Sequence, residues 1–205
     1  MNRPLLVIFL TILVNLIGFG IIIPLLPFYS QALGASPFVI GLLFASFSLA
    51  QLIAAPILGE LSDRWGRRPV LLFSIAATSL CLAGFAMADS LAMLFIFRAL
   101  HGAAAANIST AQACVADLTA PGDRARGMGL IGAAFGVGFT VGPFMGGELS
   151  VYGLSVPIWT AAALSGLNLA LAAYMLPETL RPNSNRRPRP IDPRTFIAVA
   201  RPPVV

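Results

Sequence analysis

The chain has 205 residues, of which 58% are hydrophobic and 10% charged, and a formal net charge of +5. Soluble domains carry about 25% charged residues, so this composition excludes a single core wrapped in a water-facing surface. All 13 basic residues are arginine. In so apolar a chain they belong to loops that hold membrane topology rather than to a nucleic-acid site.

Six apolar stretches reach the ~20 helical residues that cross ~30 Å of hydrocarbon. They lie near 5–28, 38–58, 70–88, 91–113, 127–147 and 156–176. Their apolar runs are continuous rather than alternating, which selects helices over barrel strands. The expected fold class is all-α, a polytopic protein embedded in the lipid bilayer. The first run is too long for a removed signal peptide and lacks a clear cleavage site.

The arginines orient the spans. Arg3 precedes span one; Arg64, Arg67 and Arg68 separate spans two and three; Arg124 and Arg126 separate four and five. Arg181, Arg186, Arg187, Arg189, Arg194 and Arg201 follow span six. All but Arg98 fall on one side, which predicts both termini in the cytoplasm of a multi-pass protein of the inner (plasma) membrane.

In span one, Pro24 and Pro27 free backbone carbonyls, which is tolerated only against protein or a wet cavity. Asn15 is a polar group at membrane depth. It reads either as a helix–helix hydrogen bond or as part of a substrate path. An outer loop is expected over 29–37, with Pro37 in the first turn of span two.

Gly59-Glu60-Leu61-Ser62-Asp63-Arg64-Trp65-Gly66-Arg67-Arg68 is the densest charge cluster. Set between two spans, it predicts a short, tightly structured loop. A topology anchor explains its arginines but has no use for the acids or for the glycines, which suit a tight turn.

Span four holds Arg98, about two turns in from its outer end, followed by His101, Asn107 and Gln112. An intramembrane arginine is a functional-site expectation, with snorkelling to the surface as the alternative. Asp117 sits at the inner end of this span. Span five carries Gly138, Gly142, Pro143, Gly146 and Gly147. Its glycines provide a smooth face for close helix contact, and Gly142-Pro143 predicts a bending point. From Arg181 the chain is basic and proline-rich, a linker facing lipid headgroups. One His and two scattered Cys assemble neither a metal set nor a nucleophile, which argues against an enzyme.

Together these motifs resemble the major facilitator superfamily, and within it the drug–proton antiporters that include tetracycline exporters. Gly59-x-Leu61-x-Asp63-Arg64-x-Gly66-Arg67-Arg68 is similar to the signature loop between spans two and three. Arg98 with Gly102 is similar to the span-four motif. Gly129, Gly138, Gly142-Pro143 and Gly146-Gly147 are similar to the span-five antiporter motif. Pro24-x-x-Pro27 and Pro177-Glu178-Thr179 also fit.

The resemblance implies the N-terminal six-helix half of a transporter over residues 1–180, then a central linker over 181–205. It implies alternating access, a small-molecule substrate near the midplane, protons as the coupled ion, and the proton gradient as energy source with no cofactor. By the same resemblance, Asp63 meets a helix of a second six-helix half that this chain lacks. Arg67 joins a charge relay with Asp117. Arg98 is linked to proton coupling or substrate contact; Asn15, Asn107 and Gln112, read from the residues themselves, are expected on the same path. Asn15 stands where tetracycline exporters usually carry an acid, and an amide cannot take or release a proton. Alternatives are an uptake carrier for sugar or a metabolite, an inactive truncated half, and a homodimer of two copies.

Overall fold

The computed structural model describes residues 3–179; the expected linker over 181–205 and its arginines lie outside them. Among the described residues seven α-helices follow one another: α1 Arg3–Ala32, α2 Pro37–Trp65, α3 Arg67–Ala86, α4 Leu91–Ala104, α5 Ile108–Leu118, α6 Arg124–Ser150 and α7 Val156–Met175. A 3₁₀ turn at Ala105–Asn107 joins α4 to α5, and the two form one span. The described helices thus give six segments long and apolar enough to cross a membrane.

Helix starts follow local chemistry. Ser36 and Ser90 cap α2 and α4 by accepting the Val39 and Met93 N–H groups, each at 3.4 Å. Pro37 sits in the first turn of α2, where a missing N–H costs nothing. Trp65, Tyr152 and Tyr174 are exposed near span ends, where amphipathic rings suit a membrane interface.

α1 is the central packing element, set against α6 and α7; α2 pairs with α4, and α3 with α7 and α4. Two apolar clusters fill the bundle. One gathers Val7, Ile8, Ile12, Leu71, Ile75 and Cys114 toward the end that bears Arg64, Arg67 and Arg124. The other gathers Ile21, Ile22, Leu26, Leu43, Leu82 and Phe85 toward the opposite end. A band of polar and aromatic side chains separates them and contains the mid-span site.

The structure corrects several sequence-based expectations. The charged stretch is not a loop: α2 runs through Asp63 to Trp65, and Gly66 alone links it to α3. Two i,i+4 pairs, Glu60–Arg64 and Asp63–Arg67, support the last turns of α2 and its junction with α3. The outer loop shrinks because α1 continues to Ala32. The fourth span is broken where an uninterrupted helix was expected. By contrast, α6 runs as one helix from Arg124 to Ser150 with Pro143 inside it.

Candidate functional site

Two regions concentrate the unusual chemistry. The first is the α2–α3 junction. Gly66 has φ 108° and ψ 154°, a backbone conformation reserved almost wholly to glycine. A Cβ there would stand 2.5 Å from Glu178 Oε2. That carboxylate accepts the Arg67 N–H at 3.0 Å and the Arg68 N–H at 3.2 Å. It therefore caps the positive end of α3 from the segment after α7. The Arg68 guanidinium adds a 2.7 Å bond to the Ala173 carbonyl. The sequence marked Glu178 only as part of a motif, not as a cap.

The Arg67 side chain is 9% exposed and connects three groups. Nη1 donates to Asp63 Oδ1 at 2.6 Å and to Ser62 Oγ at 2.7 Å. Nε donates to Asp117 Oδ2 at 3.4 Å, which ties α3 to the end of α5. Ser62 is fully buried and its hydroxyl donates to the Gly59 carbonyl at 2.8 Å. Asp63 remains 54% exposed, so one face of it stays available. Arg64 pairs with Glu60 at the surface and takes no part in this cluster. Gly59 has open space where a Cβ would point.

The second region is a cavity of about 170 Å³ at mid-span. It is smaller than the ~300–1,000 Å³ of drug-sized sites. Phe19, Phe47, Phe135 and Phe139 give its aromatic wall, with Asn15, Gln51, Thr78, His101 and Asn107 as its polar lining. Asn15 Oδ1, Asn107 Nδ2 and Thr78 Oγ1 have no hydrogen-bond partner among the described residues. Gln112 lies outside this wall on an exposed face of α5.

The 3₁₀ turn shapes this wall. Breaking a helix in a membrane frees carbonyls that need partners. Ser74 from α3 donates to the Ala104 carbonyl, and Gln51 Nε2 from α2 donates to the Ala105 carbonyl at 3.3 Å. Nothing in an alanine run announces this break, and Gln51 was not singled out from the sequence. Just before it, a Cβ on Gly102 would collide with the Phe47 backbone carbonyl, so glycine permits the α2–α4 approach.

Arg98 is the largest fully buried side chain, at 1% exposure, which removes the snorkelling alternative. Its guanidinium carbon lies 4.3 Å from the Phe47 ring centroid, 5.7 Å from Phe19 and 5.9 Å from Phe44. Each desolvated cation–π contact contributes up to about 2 kcal/mol, whereas burying an ion costs several kcal/mol even after relaxation. Nε, Nη1 and Nη2 find no hydrogen-bond acceptor among the described residues.

The expected span-five motif forms the α1–α6 seam. A Cβ on Gly138 would lie 2.6 Å from Leu16 Cβ, one on Gly142 2.7 Å from Gly20 Cα, and one on Gly146 2.9 Å from the Ile21 carbonyl. Pro143 packs on the same seam: a Cβ on Gly20 would lie 3.0 Å from Pro143 Cδ. Gly147, off the seam, has nothing within 4 Å of its Cβ position.

Known proteins place this geometry in a family. The sequence pattern of the Major Facilitator Superfamily matches residues 8–205. The chain is 39% identical over 193 residues to a tetracycline resistance protein, class C, of Escherichia coli, covering 93% of this chain and 48% of that protein. It is 32% identical over 170 residues to multidrug resistance protein 2 of Bacillus subtilis (strain 168), covering 82% of this chain and 42% of that protein. The crystal structure of the human organic anion transporter MFSD10 (TETRAN) superposes with a TM-score of 0.78 at 32% identity, covering 91% of this chain and 50% of that one. The chain thus spans about half the length of the curated relatives it matches. With six apolar spans among the described residues and a family match over most of its length, the chain is a multi-pass membrane protein and belongs to the Major Facilitator Superfamily.

Proposed function

We propose that residues 1–180 are the N-terminal six-helix half of an exporter that moves amphipathic drugs or similar small solutes by alternating access, driven by the proton gradient. The observation that carries this reading is the mid-span cavity with aromatic walls and unpartnered amides, a lining suited to amphipathic solutes. A second six-helix half completes its wall, and the segment over 181–205 links the two. The positive-inside bias supports cytoplasmic termini in an inner membrane.

In this reading the α2–α3 junction is a gate element. The exposed face of Asp63 meets the second half in one state. Arg67 relays its position to Asp117, and Glu178 fixes the start of α3 so that the cluster moves as a unit. The Gly138–Gly142–Gly146 seam lets α6 stay in close contact with α1. The drug-resistance names of the Escherichia coli and Bacillus subtilis relatives support efflux as the direction.

Expression of the full reading frame in an efflux-deficient bacterium tests the reading. It should raise the minimal inhibitory concentration of tetracycline or of other amphipathic drugs, and Asp63→Asn should return it to baseline. Unchanged susceptibility across a panel of such drugs would contradict efflux.

A further inference from the structure

Phe19 and Phe47 line the mid-span cavity and also close over Arg98. The Arg98 side chain lies behind them and does not line the cavity. The two rings contact each other at 5.1 Å, Phe19 contacts Phe139 at 5.8 Å, and Phe47 contacts His101 at 5.3 Å. These ring contacts form the partition, and opening it requires the buried Phe47 ring to change rotamer.

Behind it stands a cation without an anion. The acids of the described residues lie toward the span ends: Glu60, Asp63, Asp117, Asp123 and Glu178 at one, Asp89 and Glu148 at the other. Arg98 is seven residues inside α4, about 10 Å along the helix at 1.5 Å per residue. Ring faces attract its charge but leave the in-plane N–H donors unmatched. A planar guanidinium with free donors in a dry site matches a carboxylate, whose two oxygens accept from two of its N–H groups at once.

We propose that Arg98 is the anion-recognition residue of a compartment behind the Phe19–Phe47 partition, and that its ligand is an amphipathic carboxylate. The ligand's ring system lies in the cavity against Phe135 and Phe139, and its carboxylate passes between the parted rings to the guanidinium. Asn15 Oδ1 and Asn107 Nδ2 meet the polar edge of the ring system. This inference rests on the transporter reading and refines its substrate class: a neutral compound of the same shape occupies the cavity without reaching Arg98.

The test is calorimetric titration of the full reading frame in phosphatidylcholine nanodiscs with 2-naphthoate and with 2-naphthamide, after subtraction of heats from empty discs. The expected result is about tenfold or greater preference for naphthoate, the scale of one charge-assisted pair. Arg98→Gln should abolish the preference; Arg98→Lys, which keeps the charge without the fork, should keep only part of it. Equal affinities in the wild-type chain, absence of binding by either probe, or a preference that survives in Arg98→Gln overturns the proposal. If Arg98→Gln does not insert as a helical protein, the wild-type comparison and Arg98→Lys decide. A repeat in phosphatidylglycerol discs at about 0.5 M salt, where surface charge is screened, separates a dissolved carboxylate from a lipid phosphodiester. Unchanged affinity is expected, and loss of naphthoate binding reassigns the site to lipid. Binding is read without transport, so a failed efflux assay leaves the inference standing, and absent binding leaves the efflux reading standing.

Discussion

Arg67 Nε and Asp117 Oδ2 meet at 3.4 Å although 50 residues separate them in sequence, and the same guanidinium holds Asp63 at 2.6 Å. One cation therefore couples the end of α2, the start of α3 and the end of α5. Arg67→Gln removes that shared charge while Asp63 and Asp117 stay partly solvated. The expected loss is therefore moderate, about 1–2 kcal/mol. Thermal unfolding in detergent should show it, and Arg67→Lys should not restore it fully, because one ammonium cannot reproduce the fork. An unchanged Tm in Arg67→Gln would mean that the cluster is decorative.

Gly66→Ala meets two obstacles at once. The backbone conformation costs about 1–3 kcal/mol for any residue with a Cβ, and that Cβ would press on Glu178 Oε2 at 2.5 Å. A Tm decrease of about 5 °C or more is expected, at roughly 2–4 °C per kcal/mol for a chain of this size. Glu178→Ala removes the cap without the steric conflict. It should cost about 1 kcal/mol and should make Gly66→Ala less harmful than in the wild-type background. Strict additivity of the two changes would deny the contact between them.

The α1–α6 seam predicts opposite signs for two similar substitutions. Gly142→Ala places a methyl 2.7 Å from Gly20 Cα and from the Ile17 carbonyl, so the helices must separate. Gly132→Ala on the same helix meets nothing within 4 Å. It should be neutral or stabilising by up to about 1 kcal/mol, the helix-propensity difference. Parallel Tm measurements check the contrast, and equal losses at both sites would remove the seam from the account.

The spans were legible because continuous apolar runs of membrane length have few other uses, and the start of α2 at Pro37 followed from proline's fit to a first helical turn. The charged stretch misled because charges between spans suggest a loop. Spaced four apart, Glu60 with Arg64 and Asp63 with Arg67 sustain helical turns instead. The 3₁₀ turn at Ala105–Asn107 was hidden for a different reason. Alanine is the strongest helix former, and the turn depends on Ser74 and Gln51, which are distant in sequence. The polar character of Asn15, Arg98 and Asn107 was legible, but not that Phe19 and Phe47 would seal Arg98 from the cavity. Gln112 shares a span with Arg98 and Asn107 yet points away, since helix rotation past the 3₁₀ turn decides its face.

The central claim is coupled export by a protein whose first half is this chain. It is tested most directly by solute flux in proteoliposomes of the full reading frame under an imposed pH gradient. Drug uptake into inside-out-oriented vesicles acidified within is expected, with its collapse by a protonophore and its loss in Asp63→Asn. Flux that ignores the gradient and survives Asp63→Asn would contradict it.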